Sequence, residues 1–163
     1  MLTLEELRQE FLKRFEYRDG ELYLRFRKYN KDINLPAGSY NKRGYRKVNV
    51  NYKTYYVHRI VFLMHHGYLP PILDHIDGNI KNNKIENLRE ATQSQNQFNR
   101  KIDKDSNTGV KGVKWVEKRK QYLAHVRVNY KKHYVGCFKV LEDAEKAVKA
   151  FREKHHGKFA RHS

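Results

Sequence analysis

Leu73-Asp74-His75-Ile76-Asp77-Gly78-Asn79 opens the stretch on which the reading of this chain turns. It continues through Asn82-Asn83, Glu86-Asn87-Leu88-Arg89 and Ser94-Gln95-Asn96-Gln97-Phe98-Asn99-Arg100. An adjacent Asp-His pair followed by so many carboxamides is too polar for a core strand. Its chemistry is a carboxylate (Asp74), a base that titrates near neutral pH (His75) and carboxamide oxygens at Asn87 and Asn96. Such groups suit a hard divalent cation together with one proton acceptor.

Working outward, Leu73 to Ile76 reads as a short strand, Asp77-Gly78-Asn79 as a turn, and Leu88 to Ala91 as a strand that pairs back. Thr92-Gln93-Ser94-Gln95 has capping-box spacing, which places Asn96 in the first turns of a helix able to pack across the hairpin. Neighbouring residues of a regular strand point to opposite faces. The strand is therefore expected to kink or end at Asp74-His75 if both side chains address one reacting group. The competing reading is a polar loop in which the Asp-His pair is accidental.

The spacing Asp74-His75, Asn87-Leu88, Asn96 resembles the HNH nuclease motif in the variant that ends in Asn, found in phage and intron-encoded homing endonucleases. The resemblance covers roughly 44–100, and the Val57-His58-Arg59-Ile60-Val61 run upstream is also typical of that variant. It implies a ββα-metal finger, with His75 as general base, Asp74 and Asn96 as metal ligands, and Asn87 positioning the base and loop. His58 reads as a satisfied, partly buried histidine in preference to a ligand.

The composition is compatible with this. The chain has 163 residues and a formal charge of +17, with 39% hydrophobic residues and twelve tyrosines. That balance is basic without being disorder-like and points to nucleic acid before membrane. The longest apolar run, near Ile60 to Met64, is far shorter than the ~20 residues that span a bilayer. The acidic Met1-Leu2-Thr3-Leu4-Glu5-Glu6 start is not that of a secretory signal, so a cytoplasmic location is expected, and the resemblance to phage enzymes implies a bacterial host cell. A single Cys137 excludes an intrachain disulfide and a cysteine-braced zinc finger; it reads as a packing residue in a strand.

Toward the N-terminus, Thr3-Leu4-Glu5-Glu6 has capping-box spacing, and Leu4, Leu7, Phe11 and Phe15 recur at helical intervals. A helix is expected from about Leu4 to Phe15. Asp19-Gly20 signals a hairpin, and Lys28 to Ser39 reads as loop, its basic start at Arg25 to Lys31 lying along DNA or facing solvent. Gly44 to Val57 is a second hairpin turning near Asn51-Tyr52-Lys53. His58 to Gly67 is a buried helix closed by glycine, with His65 and His66 near its carbonyl end.

After Arg100 a polar linker is expected over 101–109. Three strands follow, at about Val110 to Val116, Gln121 to Val128 and His133 to Phe138, then a helix over Leu141 to His156 with Ala144, Ala147/Val148, Phe151 and His155 on one stripe. Gly109-Val110-Lys111-Gly112-Val113-Lys114-Trp115, Tyr134-Val135-Gly136-Cys137-Phe138, Glu142-Asp143-Ala144 and His156-Gly157-Lys158-Phe159-Ala160 resemble an Apetala-2/ethylene-response-factor DNA-binding domain. The resemblance implies DNA contact through the sheet by Lys111, Lys114, His125, Arg127, Lys132 and Tyr134. Lysine and histidine stand where the family often has arginine, which weakens bidentate reading of guanine.

The fold class expected is α+β: a ββα-metal HNH finger at about 72–100 with N-terminal hairpins, within a nuclease domain over 1–100, followed by a sheet-plus-helix module over 110–163. The expected function is a homing-type endonuclease that binds double-stranded DNA and hydrolyses one phosphodiester bond, nicking one strand. Mg²⁺ or Mn²⁺ fits the oxygen donors better than zinc. A monomer with no protein partner is expected. The rival reading is a non-cleaving DNA-binding protein with a vestigial centre; an RNA-binding module is a weaker third.

Overall fold

The computed structural model describes residues 2–26, 34–98, 106–160 and 162. Lys28 to Lys31, Asn99, Arg100 and most of the expected linker lie outside them. The chain forms two compact units, Met1–Glu90 and Ala91–Ser163.

In the first unit, helix α1 spans Leu4–Arg14 and carries the expected capping box, with Thr3 and Glu6 exchanging side-chain and backbone hydrogen bonds. It stops one residue earlier than its spacing suggests, because Phe15 already begins β1 (Phe15–Arg18), which pairs with β2 (Glu21–Leu24) across Asp19-Gly20. Strands β3 (Ser39–Tyr40), β4 (Arg46–Val50) and β5 (Lys53–Tyr56) form an antiparallel sheet. The two residues of β3 lie at the end of the expected loop, paired to β4 through Ser39↔Lys47 and Tyr40↔Arg46.

Helix α2 (Val57–His66) runs through the middle of this unit. Val57, Ile60, Val61, Phe62, Leu63 and Met64 are all buried, and Gly67 closes the helix at φ 74° with its N–H on the Leu63 carbonyl. Phe11 and Phe15 from α1 and β1, Leu22 from β2, Val48 and Val50 from β4, and Leu88 pack in the same core. The polar stretch then forms a hairpin: β6 (Leu73–His75) pairs with β7 (Leu88–Glu90) in the register Leu73↔Glu90, Asp74↔Arg89, His75↔Leu88. Strand β6 ends at His75, whose carbonyl accepts from Gly78 N–H at 2.8 Å, so the strand stops where the Asp-Gly turn begins.

In the second unit, α3 (Gln93–Phe98) follows Thr92, which takes the Gln95 N–H at 3.2 Å while its own N–H donates to the Gln95 side chain at 2.8 Å. Strands β8 (Val113–Val116), β9 (Gln121–Val128) and β10 (Lys131–Phe138) make an antiparallel sheet with β9 central. Helix α4 (Leu141–His156) packs on it with Ala144 and Val148 fully buried. The helix face differs from expectation at its far end. Its buried row is Ala144, Val148, Arg152 and His156, not the row through His155, which is exposed. The two polar members are accommodated by backbone acceptors: Arg152 Nη2 donates to the Lys111 carbonyl, and His156 Nε2 sits 3.0 Å from the Arg127 carbonyl. Gly112 (φ 77°) makes room for this, since a Cβ there would stand 2.4 Å from the His125 carbonyl oxygen.

Candidate active site

The β6–β7 hairpin hands its two chemical side chains to different partners. Asp74 is buried, and its Oδ2 accepts from Arg89 Nε at 2.9 Å and Nη2 at 2.8 Å, a guanidinium clamp across the paired positions. His75 is also buried, with Nε2 3.2 Å from Oδ1 of Asn83. The Asn83 amide nitrogen donates to the Lys81 carbonyl at 3.4 Å. A carbonyl can only accept, so the amide turns its oxygen to the imidazole, and the imidazole must donate from Nε2. Its basic lone pair is thereby on Nδ1.

Asn83 is the His75 partner that spacing did not single out, although it is the most buried polar residue here, at 2% exposure. Its signal was present as the second residue of the Asn82-Asn83 pair. The loop that carries it is braced by the first hairpin. Tyr17 hydroxyl accepts the Ile85 N–H at 3.1 Å, Lys84 pairs with Asp19 at 2.6 Å, and Gly20 lies so close that a Cβ would be 2.9 Å from Lys84 N.

Asn87 binds the loop itself. Its Oδ1 accepts from Asp77 N–H at 3.0 Å, and its Nδ2 donates to Asp77 Oδ1 at 2.9 Å and to the Asn82 carbonyl at 2.8 Å. Burial works against the Asp77 carboxylate, but hydrogen bonds from Asn79, Asn82 and Asn87 hold its pKa below the usual range. Positioning is thus divided: Asn87 ties the turn, and Asn83 meets the base.

Around His75 the surroundings are aromatic. The His58 ring meets it edge-on with centroids 5.2 Å apart, Tyr45 lies 6.4 Å away, and Tyr56 stacks on His58 at 5.6 Å. Burial, with His75 and Arg59 nearby, lowers the His58 pKa to about 3. Burial also lowers that of His75, opposed by the Asn83 hydrogen bond and by Asp77 and Asp74. Both rings are therefore neutral at pH 7, and His58 is a packed histidine, as its place on a buried helix suggests. A cleft beside them is lined by Arg43, Tyr45, Tyr56, His58, Arg59 and Leu73.

Asn96 lies on α3 in the second unit and is exposed. Among the described residues no group of three or more His, Cys, Asp or Glu side chains could hold a metal ion. On the hairpin Asp74 presents a carboxylate, a hard oxygen donor of the kind that suits an ion keeping several waters.

In the second unit the ladder places five of the six expected DNA-contacting residues on one sheet face. Lys114 pairs with Leu123, His125 with Tyr134, and Arg127 with Lys132, all opposite the face that bears Val113, Ala124 and Val126. His125 and Tyr134 rings lie 5.6 Å apart. Lys111 sits outside the strands, in the turn whose carbonyl receives Arg152. Cys137, opposite Leu123, shares the open face. Helix α4 begins at Val140 without a side-chain cap. Among the described residues no helix is long and apolar enough to cross a membrane.

The sequence model of the HNH endonucleases matches residues 55–98. The chain is 36% identical over 89 residues to Protein 3.8 of Escherichia phage T7, an alignment covering 55% of this chain and 73% of that protein. No solved structure matches it.

Proposed function

The chain belongs to the HNH endonuclease family, and from that premise we propose that it is a divalent-metal-dependent, homing-type endonuclease that binds double-stranded DNA and nicks one strand. The observation that carries the proposal is the buried, neutral His75, oriented by Asn83 at the end of β6 next to Asp74. A neutral imidazole with its lone pair directed by a fixed amide is a poised general base. His75 takes a proton from the attacking water, which then adds to phosphorus as the 3′ oxygen leaves. The resulting ends are 5′-phosphate and 3′-hydroxyl.

Asp74 and Asn96 would hold the ion. When bound, Mg²⁺ or Mn²⁺ supplies positive charge against the phosphate oxygens and the leaving 3′ oxygen. Arg89 fixes the Asp74 carboxylate, and Asn87 fixes the turn that follows His75. The sheet of the second unit serves as the DNA-gripping face, supported by the residues shared with Apetala-2/ethylene-response-factor domains and by the clustering of Lys114, His125, Arg127, Lys132 and Tyr134.

A non-cleaving reading draws on one feature, the guanidinium already seated on Asp74 Oδ2. Incubation of supercoiled plasmid with the protein and Mg²⁺ or Mn²⁺ separates the two. Open circles that precede linear DNA support the nicking enzyme. Intact plasmid bound by the protein at every metal concentration supports the vestigial centre. Prompt linear product with second-order dependence on protein would instead indicate a cleaving dimer.

A further inference from the structure

Two hairpins of this chain turn on the same four residues. Val50-Asn51-Tyr52-Lys53 joins β4 to β5 in the first unit, and Val128-Asn129-Tyr130-Lys131 joins β9 to β10 in the second. In each, Val and Lys are paired across the ladder, leaving a two-residue turn. Both central residues have positive φ: 49° and 62° at Asn51 and Tyr52, 48° and 67° at Asn129 and Tyr130. This turn suits the twist of a hairpin, but its second position ordinarily belongs to glycine, because a bulky side chain is crowded in the left-handed region. The chain uses that ordinary solution between β1 and β2, with Asp19 at 46° and Gly20 at 88°.

The tyrosines do not recover the backbone cost by packing. Tyr52 is 109% exposed and Tyr130 60%. Each asparagine beside them is instead tied down. Asn51 Oδ1 accepts from Arg14 Nη2 at 2.7 Å, and Asn129 Oδ1 accepts from Ser94 Oγ at 3.2 Å. The result, twice over, is an anchored turn that holds a phenol ring out into solvent with a lysine directly after it. Strain kept without a packing return is an indication of function.

We propose that Tyr52 and Tyr130 are DNA-contacting tips, each laying its ring against sugars and groove-exposed base edges of the bound duplex while Lys53 and Lys131 meet neighbouring phosphates. A net charge of +17 makes a polyanion the natural partner. Sugars line every step of a duplex, so such tips add affinity without demanding a sequence. The inference rests on the DNA-binding part of the function proposed above and is independent of cleavage.

The test uses the full chain, EDTA to prevent cutting, and a short fluorescent random-sequence duplex read by anisotropy. Tyr52→Gly and Tyr130→Gly should each melt at a higher temperature than the wild type, because glycine relieves the turn. Each should also bind the duplex at least about 5-fold more weakly, the loss expected on truncating an aromatic that anchors an interface. Tyr→Phe at either site should bind as the wild type does. Glycine variants that bind unchanged would overturn the proposal, as would variants that melt lower, since the ring would then be a packing element. Wild-type protein that binds no duplex even at low salt would overturn the DNA reading as a whole, whereas normal wild-type binding with unaltered glycine variants overturns the tips alone.

Discussion

The side-chain oxygen of Asn83 lies 3.2 Å from Nε2 of His75, and both residues are buried. One amide thereby sets which imidazole nitrogen carries the proton and which carries the lone pair. Asn83→Leu keeps the approximate size and removes the acceptor. It leaves a buried N–H unsatisfied, which costs about 1–3 kcal/mol. Misorientation of the base should lower cleavage by about 10²-fold, with DNA affinity unchanged. Nitrogen NMR of the His75 ring should also show loss of the uniform Nε2–H tautomer. Unchanged cleavage together with an unchanged tautomer would remove Asn83 from this role.

His58 links the site to pH stability. Its neighbours are His75 on β6, Arg59 on its own helix, and Tyr45 and Tyr56, which leaves a protonated ring no anionic partner among them. With a folded pKa of about 3 against an unfolded value near 6.5, only the unfolded state takes up the proton between those values. The stabilisation is complete above pH 6.5 and is lost as pH falls toward 3, by about 1.4 kcal/mol per pH unit for one proton. Denaturant titrations of His58→Phe across that window should show a correspondingly flatter decline than the wild type. Parallel declines would mean that His58 is protonated without penalty.

Much of this was legible in the sequence, for identifiable reasons. Capping boxes at Thr3 and Thr92, the Asp-Gly turn at 19–20 and the alternation from Tyr122 to Val128 are local signals, and local signals placed the elements. The bracing of Asn83 was not legible, because it depends on Tyr17 hydroxyl and Gly20, more than sixty residues upstream. The burial of Arg152 in place of the His155 row was hidden for the same reason: its acceptor, the Lys111 carbonyl, lies 41 residues away. Asn87 announced itself by spacing, yet the contact with His75 belongs to its less conspicuous neighbour.

Gly112 sits where the second unit is tightest. A Cβ at φ 77° would stand 2.4 Å from the His125 carbonyl oxygen and 2.9 Å from Arg152 Nη2. Gly112→Ala should therefore lower stability by at least the ~1–3 kcal/mol typical of such backbone strain, with a lower thermal midpoint in calorimetry. A midpoint equal to that of wild type would mean that the 111–113 turn relaxes at no cost.

The open sheet face should reveal itself through salt. Arg127→Ala combined with Lys132→Ala removes two cross-strand cations. If both neutralise phosphates, the slope of log affinity against log salt should flatten by about 1.8, at roughly 0.9 per phosphate. An unchanged slope would place the DNA elsewhere on the protein.

The most direct measurement compares wild type with His75→Ala on supercoiled plasmid in Mn²⁺ or Mg²⁺, while DNA binding is followed in parallel. The predicted result is metal-dependent nicking by the wild type and cleavage reduced about 10²- to 10⁴-fold in the variant, the usual contribution of a general base, at equal affinity for DNA. Undiminished nicking by His75→Ala, or a wild type that binds plasmid without cutting it at any concentration of either metal, would contradict the account.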